Sequence, residues 1–286
     1  MPVETRPLTH AIGAEVLNLD IAADHSQSVI DEVTRLVADR GVLLFRKQTM
    51  TPEQHVAFAQ RFGPSAPTPG VTRYLLKGHP ELFVIANRDE DGNLLETRET
   101  ARIWHADHSF VEKPCTYSML YCRHRPKIGG TTMYTNMYRA YETLSEPFRT
   151  MIDGLSAVHD LNYVPDLKNR KPRSAEEIAS TPPVEHPMVI THPVSGRKAL
   201  YVSEAFTRCI VGMTEEESKP ILDYLFAHSV RPEFTYRHFW DEDDVLFWDN
   251  RVVMHYAPRD YDPDNTSEDN WRYMLRATID PVDRPF

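Results

Sequence analysis

Apolar positions near the start of the chain recur at helical spacing. Val29, Ile30, Val33, Leu36 and Val37 predict a helix over residues 28–39. Residues 10–19 read as an opening strand, closed by the polar stretch 20–28. The unbroken run Val42-Leu43-Leu44-Phe45 predicts a buried strand. Thr51-Pro52-Glu53-Gln54 carries three helix-start signals: a threonine cap, a proline in the first turn and a glutamine three residues after the cap. That helix should run to about Phe62 and stop at Gly63-Pro64, followed by a Pro-rich loop over 64–70 and a strand at 82–86.

Beyond residue 100 the pattern turns to short apolar runs. Strands are expected at 116–123 and 132–135, then a helix over 138–155. Residues 165–185 are polar and proline-containing, the longest interruption in the chain, and read as a surface loop or lid. Strand-like runs follow at 188–191, 199–202, 234–239, 245–248 and 271–279, with a helix at 215–228. Many short strands with helices concentrated early predict a mostly β fold with flanking helices. The expected core is a double-stranded β-helix, or jelly roll, in one domain spanning 1–286.

Composition narrows the partners. The 286 residues are 41% hydrophobic and 26% charged, ordinary for a globular chain. A formal net charge of −10 argues against nucleic acid or an anionic membrane as the main partner. It leaves an anionic small molecule open, because a site's local field can oppose the global one. No apolar run has transmembrane length and residues 1–19 lack a signal-peptide layout, so the cytoplasm is the expected compartment. Cys115, Cys122 and Cys209 form no C-x-x-C pair and are odd in number, which excludes a disulfide framework or structural zinc site from the expectations.

Trp104-His105-Ala106-Asp107 is the strongest chemical signal. Side chains alternate faces along a strand, so His105 and Asp107 can grip one ion while Ala106 points elsewhere. With thirteen histidines in the chain an isolated H-x-D/E is weak, and His79-Pro80-Glu81 matches it too. That copy is set aside because Gly78-His79-Pro80 reads as a turn. The segment from Asp249 to His255, just after an apolar run, supplies a distant second histidine. Two histidines and a carboxylate on one face of an octahedral ion leave three positions open, which suits a bidentate 2-oxo acid plus dioxygen at iron.

The last strand adds cations. Arg272, Met274, Arg276 and Thr278 share one face by the period of two, with the arginines ~13 Å apart along a straight strand. Guanidinium is well shaped for carboxylate or sulfonate. One arginine can hold the far carboxylate of 2-oxoglutarate and the other an anionic substrate group.

Taken together, the chain resembles the taurine dioxygenase/2,4-dichlorophenoxyacetate dioxygenase family (TauD/TfdA-like) over nearly its whole length. The likeness includes Ile12-Gly13-Ala14-Glu15, Gln60-Arg61-Phe62-Gly63, Trp104-His105-Ala106-Asp107 and Gly129-Gly130-Thr131-Thr132. It continues in His192-Pro193-Val194-Ser195-Gly196, Trp248-Asp249-Asn250-Arg251 to His255, and Arg272 to Ile279. The family pattern is H-x-D, a Thr or Ser some two dozen residues on, a distant His and then an Arg; here residues 108–131 separate Asp107 from Thr132. The resemblance implies Fe(II) on His105, Asp107 and His255, with 2-oxoglutarate held by Thr132 and Arg272 and Arg276 facing the substrate's anionic group. It also implies use of O2, release of succinate and CO2, and hydroxylation or oxidative cleavage of a small anionic substrate by a homo-oligomer, dimer or tetramer.

Two departures qualify the likeness. The spacer 256–271 is longer than usual, with an expected exposed loop at 262–270. The stretch 64–70 lacks the histidine and tyrosine with which taurine enzymes hold their substrate, so taurine is not the expected substrate. His108 and Phe206 are further candidates for the substrate pocket, although strand parity points His108 away from His105 unless the chain bends after Asp107. Two rival readings use the same residues: a β-helix protein that binds a ligand without turnover, and a metal-dependent hydrolase.

Overall fold

The computed structural model describes residues 2–65, 73–163 and 173–281. The first half contributes strands β1 (Thr5–Pro7), β2 (Ala14–Val16), β3 (Val42–Phe45), β4 (Leu75–Leu76), β5 (His79–Ala86), β6 (Tyr117–His124) and β7 (Thr132–Asn136). After these come β8 (Ser156–His159), β9 (Val184–Pro187), β10 (Val189–Thr191), β11 (Lys198–Leu200) and β12 (Thr207–Ile210). The last four are β13 (Thr235–His238), β14 (Val245–Asp249), β15 (Val253–Tyr256) and β16 (Tyr273–Ile279). The helices are α1 (Gln27–Arg40), α2 (Pro52–Ala59), α3 (Met137–Glu142), α4 (Glu146–Ile152), α5 (Ala175–Ala179) and α6 (Glu215–Ser229).

The main sheet has eight strands in the order β1-β2-β3-β14-β6-β16-β5-β4, antiparallel except for β2 beside β3. Alternation along its central strands divides the apolar residues between two cores. Leu43, Phe45, Met119, Tyr121, Phe247 and Leu275 join the cluster that also holds Ile30, Val33 and Val37 of α1 and Phe58 of α2. Their sequence neighbours Leu44, Leu120, Cys122, Leu246, Trp248 and Met274 face the other way, into the cluster shared with α3 and α6. The sheet β13-β7-β15 lies among the strands that close this interior. The predicted mostly β jelly roll is therefore present, and the inward face of β16 points where the sequence placed it.

Several predicted elements need correction. Of the opening strand expected over 10–19 only β2 forms, and β1 precedes it; residues 8–13 turn back between the two, with Gly13 at a φ of 85° and its carbonyl accepting from Leu8 N–H. The Thr51 capping box is present, but its helix ends at Ala59 rather than Phe62. The helix expected over 138–155 is two helices: Ser145 caps a new start at α4, and the chain enters β8 at Ser156. Within the supposed loop 165–185, Ser174 and Glu177 form a capping box for α5, and β9 begins at Val184. Residues 165–172 of that loop, and 66–70 of the Pro-rich one, lie outside the described residues. His79 is not in a turn; it opens β5, and its ring meets Glu53 at 3.0 Å.

The turn from β14 to β15 is built on a buried ion pair. Asp249 accepts from Arg251 Nε at 2.8 Å and Nη2 at 2.6 Å, and from His192 Nε2 at 3.0 Å. Arg251→Ala should lower stability by roughly 3–5 kcal/mol, since it strands a buried carboxylate. A denaturant midpoint unchanged from wild type would contradict this.

Candidate active site

Backbone pairing sets the two histidines side by side. His255 lies on β15, and His105 forms an isolated antiparallel bridge to it. His105 N–H donates to the His255 carbonyl at 3.2 Å, and His255 N–H returns the bond at 2.8 Å. The ring centroids are 4.1 Å apart. Asp107 does not continue a regular strand; it heads a turn, with its own N–H donating to Asn250 Oδ1 at 3.2 Å.

One ligand atom from each of His105, Asp107 and His255 lies within 4.8 Å of the other two, and all three residues are buried. His105 Nδ1 is 2.8 Å from the Ile103 carbonyl. A carbonyl can only accept, so the proton sits on Nδ1 and Nε2 keeps its lone pair. That Nε2 stands 3.8 Å from Asp107 Oδ1, and His255 Nε2 stands 3.9 Å from Oδ2. These gaps are too long for hydrogen bonds and short enough to share an ion. Burial, reinforced by His105, holds His255 well below the usual histidine range, so its imidazole is neutral. Burial alone pushes the Asp107 carboxyl up, but the Arg276 guanidinium beside it outweighs burial and keeps it ionised. Two imidazoles and one carboxylate fit a divalent ion such as Fe(II).

Ser118 was not foreseen. Its Oγ donates to Asp107 Oδ2 at 2.7 Å and accepts from Asn250 Nδ2 at 2.9 Å, while Trp248 Nε1 holds Asn250 Oδ1 at 2.9 Å. The signal was available: Ser118 is the one polar residue in the run Tyr117–Cys122, at the interior parity of Leu120. Ser118→Ala should weaken Mn(II) binding by about 10–100-fold, as loss of an outer partner does. Calorimetric titration showing wild-type affinity would remove Ser118 from the site.

All the candidate residues line one pocket. Thr132, Arg272, Arg276, His108 and Phe206 surround it together with the three ligand residues. Thr132 opens β7, and its Oγ1 accepts from Trp240 Nε1 at 3.0 Å. Arg272 is buried, its Nε donates to the Gly130 carbonyl at 3.2 Å, and among the described residues no carboxylate pairs with it. The extra loop at 262–270 does not displace this arginine. Asn87 ties the loop down through the Asn265 and Asn270 carbonyls and accepts from Arg272 N–H at 2.9 Å. Gly129 and Gly130 both have positive φ, and a Cβ on Gly129 would overlap the Asp260 carbonyl. Only glycine allows that approach, which sets Asp260 on the N–H groups of Gly130 and Thr131.

Arg276 is tied more tightly to the metal cluster than alternation suggested. Its Nη1 donates to Asp107 Oδ1 at 2.8 Å, and its guanidinium stands over the Phe83 ring at 5.2 Å. His108 does reach the pocket, because φ of 57° supplies the bend that parity required. Both of its ring nitrogens are buried with no hydrogen-bond partner among the described residues, and burial brings the imidazole down to about 4 against the pull of Asp107. Phe206 packs edge-on to His105 at 6.0 Å and against Phe110 at 5.0 Å.

Known proteins are similar to this chain over nearly its whole length. Residues 4–278 match the family described as "Taurine catabolism dioxygenase TauD, TfdA family". The chain is 32% identical over 273 residues to an alpha-ketoglutarate-dependent 2,4-dichlorophenoxyacetate dioxygenase of Cupriavidus pinatubonensis, covering 91% of this chain and 93% of that one. It is also 32% identical over 274 residues to an alpha-ketoglutarate-dependent sulfate ester dioxygenase of Pseudomonas putida, covering 91% and 86%. Among solved structures, AAD-2 in complex with Mn(II) and N-oxalylglycine superposes with a TM-score of 0.87 at 29% identity, covering 100% of both chains. The chain belongs to the TauD/TfdA family and is an Fe(II)- and 2-oxoglutarate-dependent dioxygenase.

Proposed function

We propose that His105, Asp107 and His255 hold the iron, that Thr132 and Arg272 take the distal carboxylate of 2-oxoglutarate, and that Arg276 and His108 take the anionic end of the substrate. The observation that carries this reading is one pocket containing both the three-ligand cluster and a buried guanidinium with no carboxylate partner among the described residues. When bound, iron and 2-oxoglutarate supply the oxidising chemistry, with succinate and CO2 released. The protein's part is to bind, orient and exclude water. Arg272 offers two parallel N–H donors to a carboxylate. Trp240 orients the Thr132 hydroxyl by donating to it, so that the hydroxyl proton is left for the cosubstrate.

The substrate is a small anion with an apolar body, oxidised at a C–H bond. Phe83, Ile85, Phe110, Leu120, Leu161 and Phe206 form the apolar walls. Asp107 is the only carboxylate among the described lining residues, and it is already engaged, so an ammonium group would find no partner. That favours aryloxy acids or sulfate esters, on which the two relatives act, over an aminoalkyl sulfonate such as taurine. Neither rival reading has a specific observation in its favour.

The test is an anaerobic titration of metal-free protein with Fe(II), then 2-oxoglutarate. A weak visible charge-transfer band that needs both additions supports the assignment. A folded protein that binds Fe(II) yet gives no band sinks the cosubstrate site. No helix among the described residues is long and apolar enough to cross a membrane, and the three cysteines are free. The cytoplasm and a dimeric or tetrameric assembly complete the proposal; light scattering reads the latter.

A further inference from the structure

His159, on β8, is buried, and it is not among the residues that line the metal pocket. Its Nδ1 lies 3.1 Å from Ser109 Oγ, and its Nε2 lies 3.4 Å from Thr207 Oγ1. Ser109 sits between His108 and Phe110, and Thr207 follows Phe206; all three of those neighbours line the pocket. One imidazole thus touches two of the chain segments that build the substrate wall.

The donor count agrees with a link. Thr207 Oγ1 accepts from Ser203 N–H at 2.9 Å, which leaves its hydroxyl proton for His159 Nε2. Nδ1–H is then left to donate to Ser109 Oγ, with the Tyr201 carbonyl a further acceptor beside the ring. Neighbouring bonds clamp the same segments: Asp160 N–H donates to the Phe206 carbonyl at 2.8 Å, and His186 Nε2 reaches the Val111 carbonyl at 3.0 Å. The His186 ring packs edge-on to His159 at 5.2 Å, and Tyr201 stacks on its face at 5.7 Å.

We propose that His159 is a positioning residue which, by cross-linking Ser109 to Thr207, fixes His108 and Phe110 against Phe206 and so sets the width of the substrate pocket. The inference rests on the pocket assignment proposed above. Burial, with His186 alongside and against the pull of the Tyr201 carbonyl, takes the His159 imidazole down to about 3, so it stays neutral.

His159→Leu keeps a buried apolar volume and removes both bonds, whereas His159→Asn retains an amide that can reach Ser109. Each protein, loaded with Mn(II) and 2-oxoglutarate, is titrated with 2,4-dichlorophenoxyacetate and with an alkyl sulfate. Backbone deuterium exchange is followed over residues 107–111 and 203–207. In His159→Leu the better probe should bind roughly three- to tenfold more weakly, the cost of about one hydrogen bond. Exchange should quicken in both segments, with the Kd values for Mn(II) and 2-oxoglutarate unchanged. His159→Asn should restore slow exchange at 107–111 and most of the probe affinity. Equal losses of probe, metal and cosubstrate affinity overturn the assignment, because they signal general damage; unaltered exchange in both segments overturns it as well. If wild type binds neither probe, the substrate reading is at fault, and exchange with metal affinity still decides for or against His159. Ser109→Ala reports on one end of the link should His159→Leu fail to fold.

Discussion

Replacing His255 by alanine is expected to remove detectable 2-oxoglutarate-dependent succinate release and to weaken Mn(II) binding by more than the ~10–100-fold that loss of an outer partner costs. The argument is local. On the proposed reading His255 supplies one of the three ligand atoms found among the described residues, and the remaining pair, His105 and Asp107, cannot define one face of an octahedron. The loss should not come from unfolding. The bridge to His105 runs through backbone N–H and carbonyl groups, and β15 pairs with β7 through the same kind of bond, so neither depends on the imidazole. The expected signature is therefore a folded protein with a near-wild-type melting curve, no charge-transfer band and weak metal binding. Retention of Mn(II) affinity to within about tenfold, one power of ten being roughly 1.4 kcal/mol, would place the ion elsewhere.

The site was more legible in the sequence than the fold around it, and the reason is the range of the signals. His105, Asp107 and the arginines announce themselves through side-chain chemistry and the period of two, both short-range. The alternation on β16 held: Met274 faces the interior cluster and Leu275 the outer one, although pairing with β6 shifts register between Tyr273 and Met274. Strands of three or four residues such as β8, β12 and β15 carry no comparable pattern, because their existence depends on a distant partner. The helix expected over 138–155 failed for a different reason. Its apolar spacing runs on through Ser145-Glu146-Pro147, where a cap and a proline nevertheless mark a new start. His108 shows the limit of parity itself: one residue in the left-handed region reverses the direction that alternation assigns.

What no local pattern revealed is that Arg276 and Asp107, 169 residues apart, share a hydrogen bond. It changes what the arginine should do. Arg276→Gln is expected to move two affinities in opposite directions. The anionic probe should bind about 30-fold or more weakly, because truncating one partner of a largely desolvated charge pair costs roughly 2–5 kcal/mol. Mn(II) should bind about tenfold or more tightly. In the metal-free protein the guanidinium is a counter-charge on the very carboxylate the cation must use, and with the cation in place it is a like charge nearby. Two unit charges ~5 Å apart at an effective dielectric of about 20 interact by roughly 3 kcal/mol, so removing one of them is felt. Ser118 still donates to Asp107 Oδ2 in the variant, which keeps the carboxylate oriented for the ion. A variant that merely damaged the pocket would lose both affinities together, so paired titrations with Mn(II) and with 2,4-dichlorophenoxyacetate separate the two accounts. Weaker metal binding alongside weaker anion binding would mean that Arg276 holds Asp107 in place more than it competes for it, and the arginine would then belong to the metal's support rather than to the substrate's anchor.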